Sequence, residues 1–167
     1  LWKTYPTVIE QSKEWSLFLG GIQSRKDAQV MRNLGITHVI CVLKHNESNT
    51  LQDTDASVQV ENVDIEDKEG QPMIEALQRS VKHLFELKRT ASCSCQSAIR
   101  VLVHCYLGKS RSATIVTGWI MASQRKTAKE ALMMLQRKRR GIDPNRHFLK
   151  SLLEFEQMLF PGSTPSF

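Results

Sequence analysis

Apolar residues along this chain follow two rhythms. Short β-branched runs alternate with longer stretches in which apolar positions recur every three or four residues, and that alternation predicts an α/β domain. Leu17-Phe18-Leu19-Gly20 reads as a short strand ending in a glycine turn. Ser24 with Asp27 three residues on resembles a helix N-cap, and Ala28, Val30, Met31 and Leu34 give the helix an apolar face before Gly35 stops it. Thr37 to Leu43 predicts a strongly apolar strand, 45–56 a polar loop, and Val58 to Ile65 a further strand. Pro72 suits a helix start, with Ile74, Leu77, Val81, Leu84 and Phe85 at helical spacing. Arg89 to Ser97 has no period and reads as a surface loop, whereas Ile99 to His104 is the clearest central strand. Ala113 to Ala122 is apolar nearly all round, as a buried helix would be. Thr127 and Glu130 form a capping box for a helix ending at Gly141. Pro144 blocks its continuation, and Phe148, Leu152, Phe155 and Leu159 mark the last helix. The expected fold is one α/β domain over 16–160, a mostly parallel central sheet flanked by helices. An N-terminal extension (1–15) and a C-terminal tail (161–167) flank it.

Composition sharpens this only a little. With 167 residues, 41% hydrophobic and 24% charged, the chain can bury one sizeable core and is neither fibrous nor disordered. No apolar run has the length of a membrane span and no leader pattern opens the sequence, although Leu1 is not an initiator methionine and the sequence reads as an excerpt. The net charge of +6 favours anionic partners without choosing among nucleic acid, lipid and phosphoprotein. Cys41 lies in an apolar run as a core thiol would, and Cys93-Ser94-Cys95 is too closely spaced for a zinc pair. The expectation is a reduced protein, cytoplasmic or nuclear, with no cofactor and no metal.

The chemistry concentrates in His104-Cys105-Tyr106-Leu107-Gly108-Lys109-Ser110-Arg111-Ser112, between the central strand and the buried helix. Cys105 and Arg111, six positions apart, can close a loop whose N–H groups converge on one anion. Gly108 would allow a left-handed turn, and the following helix aims its positive end into the same space. A phosphate dianion fits such a nest, Arg111 can grip two of its oxygens, and the same field would make Cys105 a nucleophile.

The segment resembles the signature of the dual-specificity phosphatases, HC-x-x-G-x-S-R-S. The resemblance extends to Leu17-Phe18-Leu19-Gly20, to Leu34-Gly35-Ile36-Thr37-His38-Val39, and to Pro144-Asn145 followed by Phe148, Leu152 and Glu156. It implies that Cys105 forms a phosphocysteine and that Arg111 binds the phosphoryl oxygens, with Tyr106, Leu107, Gly108, Lys109 and Ser110 completing the phosphate loop. It implies that Ser112 donates to the sulfur, that His104 tunes the thiol and that Asn145 supports the loop. Blander alternatives for those three are a helix-start residue, a strand-end histidine and a turn residue. Asp67 stands where the family keeps its general acid, with Asp64 and Glu66 as rivals. The interval from Asp67 to Cys105 is long for the family, and the Ser/Cys-rich stretch near Ala91 to Ser97 is the expected insertion.

The function implied is hydrolysis of phosphotyrosine and phosphoserine or phosphothreonine on proteins, kinases among them, in a shallow pocket. Lys109 inside the loop leaves open a phosphoinositide or other non-protein ester, with anionic lipid head groups as partners, unless its side chain points to solvent. RNA-directed relatives carry Asn-Arg-Thr where this chain has Ser110-Arg111-Ser112, which disfavours nucleic acid. A phospho-binding pseudophosphatase is the non-enzymatic alternative. Arg137 to Arg140 allows a nuclear-import or acidic-partner reading beside that of a solvated helix face. Cys93 or Cys95 could protect Cys105 by reversible disulfide formation.

Overall fold

The structure is a computed structural model that describes residues 4–48, 51, 55–93 and 98–167. Five strands form one sheet: β1 (Thr7–Gln11), β2 (Trp15–Gly20), β3 (His38–Val42), β4 (Gln59–Val63) and β5 (Ile99–His104). Their spatial order is β1-β2-β5-β3-β4, with β1 antiparallel to β2 and every other pairing parallel. β5 lies at the centre, its residues buried but for half-buried Arg100, as a strand covered on both faces must be. The register matters for the site. Gly20 pairs with His104 and so does Cys41, so the carboxyl ends of three parallel strands finish level with Cys105.

The helices are α1 (Ile22–Lys26), α2 (Ala28–Asn33), α3 (His45–Ser48), α4 (Met73–Cys93), α5 (Arg111–Gln124), α6 (Ala128–Lys138) and α7 (Arg146–Leu159). α5 packs against α4, α6 and α7 and against β2, β3 and β5, which explains why it is apolar nearly all round. Gly118 permits part of this packing, because a Cβ there would lie 2.6 Å from Leu77 Cδ2. Trp119 sits fully buried against Trp15 and Phe85, with ring centroids 5.9 and 4.7 Å away. Its Nε1 donates to Glu10 Oε2 at 3.2 Å, and Lys88 pairs with the other oxygen of Glu10, so a polar clasp ties β1 to the helical layer.

Several local expectations change. The residues after Phe85 continue the helix: α4 runs to Cys93, with Leu87 and Ala91 buried on its inner face, and 94–97 of the expected loop lie outside the described residues. Asp27, not Ser24, caps α2, its carboxylate accepting from Gln29 N and Val30 N at 3.1 Å each, while Ser24 is buried within α1. The polar stretch from His45 opens with the short helix α3. β1 was not expected from the sequence at all. The capping box at Thr127 and Glu130 is present in full.

Phe148 is fully buried in α7, and its N–H is capped by Asn145 Oδ1 at 2.9 Å. Truncating Phe148 to Ala should cost about 3–5 kcal/mol, because the surrounding core closes only partly over the space left. The measurement is urea unfolding, with the midpoint falling at an unchanged slope.

Candidate active site

The loop between β5 and α5 is built by turning its carbonyls outward. Tyr106 O accepts from Ile22 N (2.9 Å), Leu107 O from Arg139 Nη2 (3.3 Å), Gly108 O from Arg139 Nε (3.0 Å) and Lys109 O from Asp143 N (3.0 Å). No peptide bond in the described residues is cis. In a trans peptide the N–H points opposite to its C=O, so the N–H groups of Leu107, Gly108, Lys109 and Ser110 face the inside of the loop. Gly108 N donates to Cys105 Sγ at 3.2 Å in keeping with this. Gly108 has φ +70°, and a Cβ would fall 2.4 Å from Gly20 O, so both conformation and space demand glycine.

Cys105 is buried at 2% exposure at the base of a cavity of about 200 Å³ lined by Glu47, Asp67, Tyr106, Leu107, Lys109, Ser110 and Arg111. Its sulfur receives a second donor, Ser112 Oγ, at 3.1 Å. α5 begins at Arg111, so its positive end adds to the field inside the loop. Arg111 is itself buried. Its Nη1 reaches Glu47 Oε2 (2.6 Å) and Ile65 O (3.3 Å), while its buried Nε has no partner among the described residues. One nitrogen of the guanidinium is therefore anchored on Glu47 and Ile65. Burial raises the Glu47 carboxyl, but its bonds from Arg111 and from the Lys44 N–H outweigh that and leave it below the usual carboxylate value.

Asp67 Oδ1 accepts from Ser110 Oγ (2.8 Å) and Asn145 Nδ2 (2.9 Å), which points the carboxylate at the cavity. The rivals are engaged elsewhere. Asp64 accepts from His45 N at 2.9 Å, and Glu66 is paired with Lys44 (3.0 Å) and Lys68 (2.6 Å). Asn145 thus caps α7, orients Asp67 and donates its own N–H to Ser110 Oγ at 3.3 Å. Lys109 lines the cavity, and the end of its side chain, Cε and Nζ, lies against Gly141. Tyr106 and Leu107 are exposed on the rim. Glu47 and Arg139 are the residues that sequence reasoning missed: Glu47 looked like loop polarity and Arg139 like one charge in a run.

Cys93 ends α4 and is exposed, whereas Cys105 follows β5 and is buried. Cys95 lies outside the described residues. No group of three or more His, Cys, Asp or Glu side chains that could hold a metal occurs among the described residues. No helix there is long and apolar enough to cross a membrane.

The family description "Dual specificity phosphatase, catalytic domain" matches residues 17–158. The chain belongs to the dual-specificity phosphatase family, a family of cysteine-based protein phosphatases. It is 33% identical over 144 residues to MAP kinase phosphatase with leucine-rich repeats protein 3 of Dictyostelium discoideum, covering 86% of this chain but 16% of that protein. It is 29% identical over 154 residues to dual specificity protein phosphatase 1 of Arabidopsis thaliana, covering 92% of this chain and 70% of that one. Among solved structures, the human tyrosine phosphatase-like serine/threonine/tyrosine-interacting protein superposes with a TM-score of 0.76 at 28% identity, covering 85% of this chain and 91% of that one.

His104 is fully buried and its Nδ1 lies 3.2 Å from Cys105 O, so Nδ1 carries the proton of a neutral ring. Burial pushes its pKa down to about 4, with the nearby charges of Arg25 and Arg111 acting the same way and the bond to Cys105 O against them. A folded-state value below the ordinary 6.5 stabilises the protein above pH 6.5 and loses that contribution as pH falls toward 4. The loss should reach about 3 kcal/mol, read as urea midpoints across that range. His104→Asn, which cannot titrate, should lack this segment of the pH dependence.

Proposed function

We propose that this domain hydrolyses phosphotyrosine and phosphoserine or phosphothreonine on proteins, without a metal, through a phosphocysteine. The observation that carries the reading is the convergence on one cavity of Cys105 Sγ, four inward N–H groups, Arg111 and the oriented carboxyl of Asp67. Cys105 Sγ attacks phosphorus while the bond to the substrate oxygen breaks, and Asp67 gives that oxygen its proton. Arg111 and the N–H groups of 107–110 hold the phosphoryl oxygens as their charge redistributes. Water then attacks the phosphocysteine, Asp67 takes its proton, and the S–P bond breaks as Ser112 donates to the departing sulfur. Inorganic phosphate leaves and Cys105 is restored. His104 holds the start of the loop from behind and Asn145 sets the acid.

Tyr106 and Leu107, exposed on the rim of a cavity of about 200 Å³, leave Cys105 open to the shorter phosphoserine and phosphothreonine as well as phosphotyrosine in this reading. Phosphorylated proteins, kinases among them, are the proposed partners. A nucleophilic Cys105 needs a reduced thiol, which supports a reducing compartment, cytoplasm or nucleus. Lys109, lining the cavity, favours one second reading, a highly anionic ester such as a phosphoinositide head group. Release of phosphate from inositol lipids faster than from phosphopeptides would select it.

Hydrolysis of a small aryl phosphate in chelator should persist for the wild type and vanish for Cys105→Ser. Asp67→Asn should lower kcat by about 10²–10⁴-fold and remove the alkaline fall in rate that comes from losing the acid's proton. Ser112→Ala should slow the second step, so that a phosphoenzyme accumulates and a burst appears. Turnover by Cys105→Ser, or a requirement for a divalent ion, would refute the mechanism.

A further inference from the structure

Of the loop carbonyls turned outward, those of Leu107 and Gly108 are held by one side chain, Arg139, the residue just after α6. All three of its guanidinium nitrogens donate. Nε takes Gly108 O at 3.0 Å, Nη2 takes Leu107 O at 3.3 Å, and Nη1 donates to Thr7 Oγ1 on β1 at 3.2 Å. The guanidinium also lies close enough to Gly108 that a Cβ there would meet Nη2 at 2.9 Å. Thr7 lies ahead of the residues that match the family, 17–158. The edge strand and the centre of the phosphate loop are therefore joined through a single planar group.

We propose that Arg139 is a positioning residue for the phosphate loop and that Thr7 on β1 sets its orientation, so that the N-terminal strand governs how well the loop binds a tetrahedral oxyanion. The reason is geometric. Each carbonyl that Arg139 holds outward fixes the next N–H inward, those of Gly108 and Lys109, and two parallel bonds from a rigid fork fix both peptide planes together. A lysine supplies the charge but not the fork. Half-burial draws the guanidinium below its ordinary value, and attraction to Cys105 opposes that. The bonds to the other two outward carbonyls, from Ile22 N to Tyr106 O and from Asp143 N to Lys109 O, come from backbone and cannot be altered by substitution without moving the chain.

The inference rests on the proposed role of the loop as an oxyanion seat, and the test separates the two. Tungstate, a tetrahedral oxyanion whose binding needs no turnover, is titrated calorimetrically into the full chain and its variants, with melting temperatures alongside and steady-state kinetics on an aryl phosphate. Arg139→Met should weaken tungstate by about tenfold or more, and Thr7→Val by about two- to fivefold, as expected for losing bonds to a charged group. KM should rise with the tungstate constant in both variants. Arg139→Lys should recover only part of the loss. Tungstate affinity and KM within twofold of wild type in Arg139→Met, whatever its melting temperature, would overturn the inference, and full recovery by lysine would overturn the role of the fork. If Arg139→Met fails to fold, Thr7→Val decides alone: unchanged affinity refutes the coupling to β1. A wild type that binds no tungstate would overturn the oxyanion seat and this inference together.

Discussion

The site depends on one constraint: consecutive peptide planes between β5 and α5 must all turn the same way. A run of inward N–H groups is unfavourable in the absence of an anion, because like ends of dipoles face one another. It persists here because every carbonyl on the outside is satisfied, by Ile22 N, by Arg139 and by Asp143 N, and because α5 starts where the run ends. The partners come from widely separated parts of the chain, and the level finish of β2, β3 and β5 is what brings the first of them into reach. Much of the sheet's register can be understood as serving this one turn of backbone.

The same logic explains how polar groups survive inside the core. His104, Arg111 and Ser112 are buried, and each spends a donor on the loop or its surroundings: on Cys105 O, on Glu47 and Ile65 O, and on Cys105 Sγ. A buried donor with a partner costs little, whereas an orphaned one costs on the order of 1–3 kcal/mol. The unpartnered Nε of Arg111 is a buried donor that carries that cost. Asp67 lines the same cavity, its geometry set by Ser110 and Asn145, so the loop itself helps to hold that carboxylate.

Much of this was legible in the sequence, and the failures have physical causes. The strand–loop–helix unit was plain because periodicity changes abruptly at Cys105, from a strand buried on both faces to a helix buried all round. Asp67 stood ahead of Asp64 and Glu66 on local pattern, Asp64 falling within the strand run and Glu66 pointing away from its neighbour. Its contacts with Ser110 and Asn145, distant along the chain, could not be read that way. Glu47 and Arg139 were invisible for the same reason. The end of α4 was misread because Thr90 and Ser92 look like loop residues, yet each satisfies its hydroxyl on a helix carbonyl, Glu86 O and Lys88 O. Asp27 displaced Ser24 as a cap because its carboxylate serves two N–H groups. β1 was missed because it buries only Ile9 fully, so an edge strand of this kind needs no strong apolar signal.

Gly118 and Gly108 both mark close approaches, yet they constrain the chain's future differently. What crowds Gly118 is the tip of Leu77, so a larger residue there could be accommodated by a second substitution that trims its neighbour. What crowds Gly108 is the carbonyl oxygen and carbon of Gly20, which every amino acid possesses. No partner mutation at position 20 can remove those atoms. Sequence drift at the first position can proceed in pairs of compensating steps, whereas at the second it meets a wall made of main chain, and lineages descending from this domain must keep that glycine or give up the loop.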